Sequence, residues 1–115
     1  MTITRLDTNA RMSQAVVHGD TVYLAGQVGA PGESVTVQTQ TVLKQVEDLL
    51  ARTGSSKQHL LSATILLADI SDFAEANAVW EEWVADAGIP TRATAEAKLV
   101  TPDYKVEVII IAAKA

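Results

Sequence analysis

Three side chains in the C-terminal third carry groups that could hold a small anion and a water molecule. Arg92 follows Pro90-Thr91, Thr94 lies just beyond it, and Glu107 sits within the last strongly apolar stretch. A guanidinium is a planar fork that grips a carboxylate through two parallel hydrogen bonds. A hydroxyl both donates and accepts, and a partly desolvated carboxylate can position water for attack. The competing reading is a solvated polar face on which Arg92, Glu96, Lys98 and Glu107 merely offset one another's charge.

Other chemistries have less to work with. The chain has no cysteine, which removes disulfides, thiolate metal sites and cysteine nucleophiles. His18 and His59 stand alone, without a second histidine or carboxylate at ligand spacing, so no metal is expected. Gly26, Gly29 and Gly32 make a glycine-rich loop but lack the register of a dinucleotide fingerprint and the Lys-Ser/Thr of a P-loop. No cofactor is expected, and no Ser-His-Asp set stands out. The net charge is −5, from 14 acidic and 9 basic residues, and the basic ones are scattered. Without a basic stripe, neither nucleic acid nor an anionic membrane surface is an expected partner.

Elements must bring these groups together, and the 115 residues suffice for one compact domain, 1–115. With one Phe, two Tyr and two Trp, the core must be built mainly from Val, Leu, Ile and Ala. Residues 14–28 read as two strands around a Gly19-Asp20 turn, and Ile3–Leu6 as a short opening strand. A helix is expected from Val35 to Thr53, capped by Ser34 and closed by Gly54, with Val42, Leu43, Val46, Leu49 and Leu50 as its apolar stripe. The run Leu60 to Ala68 reads as a buried strand. Ser71 should cap a second helix reaching Ala87, with Phe73, Ala76, Trp80, Trp83 and Val84 facing inward. Two strands, Thr91–Lys98 and Tyr104–Ala112, close the chain around Pro102-Asp103. The order β-β-α-β-α-β-β predicts an α+β fold, a mixed sheet with two helices packed on one face.

Alternation along the last two strands adds a constraint. Arg92, Thr94, Glu96 and Lys98 share one side of the first; Glu107, Ile109 and Ile111 share one side of the second. If the two strands pair antiparallel, with their alanine and Val/Ile sets toward the helices, one register sets Thr94 opposite Glu107. Guanidinium, hydroxyl and carboxylate would then converge on the helix-free face. Ile109 and Ile111 would lie there too, which calls for a partner subunit to cover them.

The stretch IPTRATAEAKLVTPDYKVEVIIIAA at 89–113 resembles the RidA/YjgF family, whose pattern is Pro, a small residue, Arg, a small residue, then a strand ending in Val/Ile-Glu-Val/Ile and Ile-Ala. YLAGQV at 23–28 and SATILLADISDFAEANAVWEEW at 62–83 are similar to the same family, and the likeness covers nearly the whole chain. The extension RMSQAVVHGDTVYLAGQ looks like a divergent branch. The resemblance implies the chorismate-mutase-like RidA fold and a homotrimer with clefts between subunits, each binding a small carboxylate-bearing metabolite. It further implies hydrolysis of reactive imines and enamines, such as 2-aminoacrylate, to 2-oxo acids and ammonia.

By the same resemblance Arg92 would bind the substrate carboxylate, Glu107 would position the attacking water and Thr94 would help hold it. Gly26 and Gln27 match a Gly-Gln whose backbone approaches the ligand, an ordinary strand-to-loop turn being the alternative. The family places an asparagine at Asn77 near the cleft; a structural hydrogen bond to loop backbone is the competing role. Two positions depart from the pattern. Ala25 stands where studied deaminases carry serine, and Met12, beside Ser13, stands where they carry a cleft tyrosine, so neither supplies the hydroxyl.

Three functions follow: an imine/enamine deaminase, a module that binds a small carboxylate without turnover, and a ribonuclease, which some relatives are labelled. The acidic balance places the third last. Met1 to Ala10 lacks the basic-then-apolar pattern of a signal peptide, and no apolar run approaches the ~20 residues of a bilayer span. A cytoplasmic location is expected.

Overall fold

The computed structural model describes residues 1–115. The elements, in chain order, are β1 (Ile3–Leu6), β2 (Ala15–His18), β3 (Thr21–Leu24), α1 (Val35–Arg52), β4 (Leu60–Leu67), α2 (Phe73–Val84), β5 (Thr91–Glu96) and β6 (Val106–Ala113). Single 3₁₀ turns at Lys57–His59 and Ile70–Asp72 precede β4 and α2. This is the α+β order read from the sequence, with the short opening strand included.

Local chemistry accounts for most of these boundaries. The β2–β3 hairpin pairs His18 with Thr21 around Gly19, whose φ of +62° is the left-handed conformation a two-residue turn demands. Ser34 Oγ accepts from the Val37 amide at 3.2 Å and caps α1. Val35, Val42, Leu43, Val46, Leu49 and Leu50 are the buried apolar residues of that helix. Glu75 of α2 reinforces its first turn, its carboxylate accepting from the Thr36 amide and hydroxyl at 2.9 and 2.8 Å.

The second helix starts later and ends sooner than its pattern suggests. Asp69 accepts from the Ser71 amide and hydroxyl at 2.9 and 2.7 Å, while Glu96 accepts from the Ile70 amide at 2.9 Å. These bonds spend Ser71 on the 3₁₀ turn, so it does not cap α2, which begins at Phe73. Its other end stops at Val84, ahead of a contact in which the Gly88 amide donates to the Lys57 carbonyl at 3.1 Å.

The six strands lie in the order β1-β2-β3-β6-β4-β5, and every neighbouring pair is antiparallel except β4 and β5. The antiparallel pairing of the last two strands is therefore overturned. A strand, a crossover helix and the next strand favour parallel pairing, and α2 carries the chain from β4 to β5 in that way. Burial decides which strand takes the edge. The strands LLSATILL and VEVIIIAA carry large apolar side chains on both faces and take central places, whereas TRATAE carries none and lies outermost.

This order also reverses the expected facing of β5. Arg92 lies opposite Ala63, Thr94 opposite Ile65 and Glu96 opposite Leu67. Those β4 residues pair with Ile110, Val108 and Val106, all buried beneath the helices. Arg92 and Thr94 are thus on the helix side of the sheet, while Ala93 and Ala95 turn to the bare side.

The assignment for β6 holds: Val106, Val108, Ile110 and Ala112 are buried, and Ile109 and Ile111 point away from the helices. The molecule measures 42 × 35 × 19 Å, and 19 Å is room for one sheet and one helix layer. Val16, Tyr23, Leu66, Ile109 and Ile111 therefore share a face with no covering layer. No helix is long and apolar enough to cross a membrane.

Candidate functional site

Arg92 projects from the edge strand toward the first three turns of α2. Residues 73, 76, 77 and 80 share one helical face, and all four meet the arginine or its surroundings. The guanidinium lies 5.7 Å from the Phe73 ring and 5.9 Å from the Trp80 ring, both within cation–π range. Its Nη1 donates to Asn77 Oδ1 at 2.7 Å. No carboxylate forms an ion pair with it, and its other nitrogens have no acceptor within the chain. A cation held by two rings and one neutral amide keeps part of its fork available to an anion.

Thr94 lines the same recess with Ile65, Leu67, Phe73, Ala76, Asn77 and Arg92. Its hydroxyl is buried and has no partner within the chain. A buried hydroxyl without a partner is costly, on the order of 1–3 kcal/mol. The recess encloses only about 10 Å³, so one chain alone offers no room for a metabolite.

Asn77 does not bond to loop backbone, the role that competed with a cleft position. It spans two side chains: Oδ1 accepts from Arg92, and Nδ2 donates to Glu81 Oε1 at 2.9 Å. Just upstream, hydrogen bonds from Ser71 hold the Asp69 carboxyl below the usual carboxylate range and fix the turn that delivers Phe73.

Glu107 is elsewhere. It is half-buried on the helix-free face of β6, separated from Arg92 by β4 and by the thickness of the sheet. Two strand spacings alone put about 10 Å between the backbones. The expected convergence of Arg92, Thr94 and Glu107 within one chain is thus corrected: the first two share one face and the carboxylate occupies the other.

Gly26 belongs with Glu107. A side chain at residue 26 would collide with the Glu107 carboxylate, so glycine is what lets the acid lie across the strand end. Gln27 turns inward and is almost fully buried. Its backbone N–H and C=O both pair with Val108, at 2.8 and 3.1 Å. Its amide joins Gln14 and Gln45 in a chain of hydrogen bonds at 3.0 and 3.1 Å. Backbone and side chain are both engaged, which anchors the loop bearing Gly26.

Sequence reasoning missed Gln38. This fully buried amide donates to the Glu33 and Asp103 carbonyls and accepts from the Lys105 amide, all at 2.8–3.0 Å. It fastens the chain immediately before β6 and so sets where Glu107 emerges. Its position one turn before Val42 on the apolar stripe was the available signal. Ala25 and Met12 lie on the β2–β3 side of the molecule, far across the strand order from Arg92.

Comparisons with known proteins agree with this architecture. The family described as Endoribonuclease L-PSP matches residues 2–114. A RutC family protein of Haemophilus influenzae is 45% identical over 114 residues, covering 97% of this chain and 98% of that protein. The chloroplastic Reactive Intermediate Deaminase A of Arabidopsis thaliana is 31% identical over 107 residues, covering 87% of this chain and 57% of that one. A crystal structure of a YjgF family member from Neisseria meningitidis superposes with a TM-score of 0.96 at 43% identity, covering 100% of this chain and 97% of the other.

Proposed function

Since the chain belongs to the RidA/YjgF family, we propose that it hydrolyses reactive imines and enamines of the 2-aminoacrylate type to 2-oxo acids and ammonia. The observation that carries this reading is Arg92: a guanidinium steadied by Phe73, Trp80 and Asn77, yet without an acidic partner. Such a group is suited to the carboxylate of a small substrate. The name of the Arabidopsis relative, Reactive Intermediate Deaminase A, points to the same reaction class.

In this reading the enamine first tautomerises to the imine. Water adds to the imine carbon and one of its protons passes to nitrogen; the second follows from the resulting hydroxyl as the C–N bond breaks, the carbonyl forms and ammonia leaves. The carboxylate stays on Arg92 throughout. Glu107 holds the attacking water, and the Thr94 hydroxyl supplies a further hydrogen bond. Hydrolysis of an imine needs no metal or cofactor, only a placed water and a route for its protons to nitrogen.

Arg92 and Glu107 of one chain face opposite ways, so they serve a common substrate only across a subunit boundary. A homotrimer meets this need: the bare apolar sheet faces turn inward, and Arg92 of one protomer meets Glu107 of the next in each of three clefts. A head-to-tail contact of that kind closes into a ring. The second protomer also supplies the wall that the shallow recess beside Arg92 lacks.

The decisive assay follows ammonia or 2-oxo acid release from enzymatically generated 2-aminoacrylate, with Arg92→Ala as control. Wild-type protein should accelerate release and the variant should lose most of that acceleration; equal rates would remove the deaminase reading. Ala25 and Met12, which supply no hydroxyl, favour a second reading, a trimer that binds a small carboxylate without turning it over. Calorimetry showing Arg92-dependent binding of 2-oxo acids together with no turnover would select it.

A further inference from the structure

We propose that Glu81, exposed on α2 and well outside any reacting position, is a positioning residue for Arg92 that acts through the side-chain amide of Asn77. The inference rests on Arg92 being the carboxylate-binding group. It follows from hydrogen-bond polarity. A guanidinium only donates, so it must meet the oxygen end of the Asn77 amide; a carboxylate only accepts, so it must meet the nitrogen end. Arg92 Nη1 is 2.7 Å from Oδ1, and Glu81 Oε1 is 2.9 Å from Nδ2. Each partner forbids the flipped amide.

The spacing makes the arrangement local and stiff. Asn77 and Glu81 are one turn apart on α2 and therefore neighbours on its surface. Phe73 and Trp80 lie beside the guanidinium, and Asn77 fixes one of its nitrogens. Without Glu81 the amide keeps only the restraint from Arg92, so it swings more widely about its side-chain bond and holds the guanidinium less firmly. The negative charge is also one amide removed from the arginine. A carboxylate bonded directly to Arg92 would compete with the substrate carboxylate, whereas one acting through a neutral relay orients the cation and leaves its free edge for the ligand.

The test compares wild type, Glu81→Ala, Glu81→Gln and Arg92→Ala, using pyruvate as the probe in calorimetry and the imine assay for KM and kcat. Glu81→Ala should weaken pyruvate binding and raise KM by about three- to tenfold, the scale of one hydrogen bond, with kcat changed less. Glu81→Gln retains an acceptor for Nδ2 and should recover most of the loss. Thermal midpoints should stay together, since Glu81 is exposed. A direct readout needs no ligand: in ¹⁵N-arginine-labelled protein, rotation of the Arg92 guanidinium should be slower in wild type than in Glu81→Ala.

Unchanged binding, KM and guanidinium rotation in Glu81→Ala, with binding lost in Arg92→Ala, would overturn the relay and leave the carboxylate reading standing. Pyruvate binding that survives Arg92→Ala would overturn both. A Glu81→Gln variant as impaired as Glu81→Ala would show that charge, not amide orientation, is at work, and would also overturn the relay.

Discussion

At the scale of single residues, the chain separates the group suited to hold a substrate from the group suited to deliver water. Arg92 is stabilised by aromatic faces and a neutral amide, which cost it none of its charge. Glu107 owes its place to a missing side chain, because residue 26 has no Cβ to displace it. Gly26→Ala therefore tests the acid without touching it. The added methyl is expected to push the flexible carboxylate aside while the sheet stays folded, lowering kcat about tenfold or more, a fraction of what a lost acid–base group costs. Steady-state kinetics with a circular dichroism control would check this, and an unchanged kcat would exclude Glu107 from the reaction.

At the scale of elements, polar anchors rather than helix propensity decide where segments begin and end. Glu75 of α2 satisfies the first turn of α1, Gln38 of α1 fastens the entry to β6, and Asp7 reaches the last turn of α1. Asp7, at a left-handed φ of +51°, forms two 2.8 Å hydrogen bonds with Arg52. The hydrogen bonds and charge of Arg52 hold the Asp7 carboxyl below its ordinary range. A carboxyl that titrates lower in the folded state adds stability above its unfolded value and loses it as pH falls through the folded value. Asp7→Asn tolerates the same backbone conformation but removes the charge and one of the two acceptors that Arg52 uses. Its thermal midpoint should lie slightly below that of wild type near neutrality and merge with it in acid, the gap being small because both groups are about half exposed. A gap that widened on acidification would contradict this account.

At the scale of the whole molecule, the bare sheet face and the divided functional groups make the same demand. Val16, Tyr23, Leu66, Ile109 and Ile111 lie on a face with no covering layer, and Arg92 and Glu107 lie on opposite faces of one chain; the proposed ring of subunits answers both. If the proposed trimer forms, Ile109→Glu should yield folded monomers in sedimentation and abolish the proposed turnover; a fully active trimer would contradict the interface. Mixing supplies a sharper test. When inactive Arg92→Ala and Glu107→Ala subunits are unfolded together and refolded, a ring that pairs Arg92 of one protomer with Glu107 of the next should regain about a quarter of its sites. Sites built within single chains would regain none.

The sequence was sufficient for features whose causes are local. Hydrophobic period, the Gly19 turn and the Ser34 cap each act within a few residues, so the eight elements, the helix stripe of α1 and the alternation of β6 were legible before any coordinates. Arg92, Thr94, Asn77, Gly26, Gln27 and Glu107 were named as candidates from the sequence as well, because residue type and motif travel with the chain, but their grouping in space was not. Strand order was different. Alternation states which residues of a strand share a side, but not which side faces the helices, and that choice depends on which neighbours the strand acquires. The doubly apolar β4 and β6 outcompeted β5 for the interior, β6 slipped between β3 and β4, and Arg92 turned toward α2 as a result. Only tertiary structure could join Glu81, Asn77 and Arg92 and part them from Glu107, because burial is settled among all the strands together and not within any one of them.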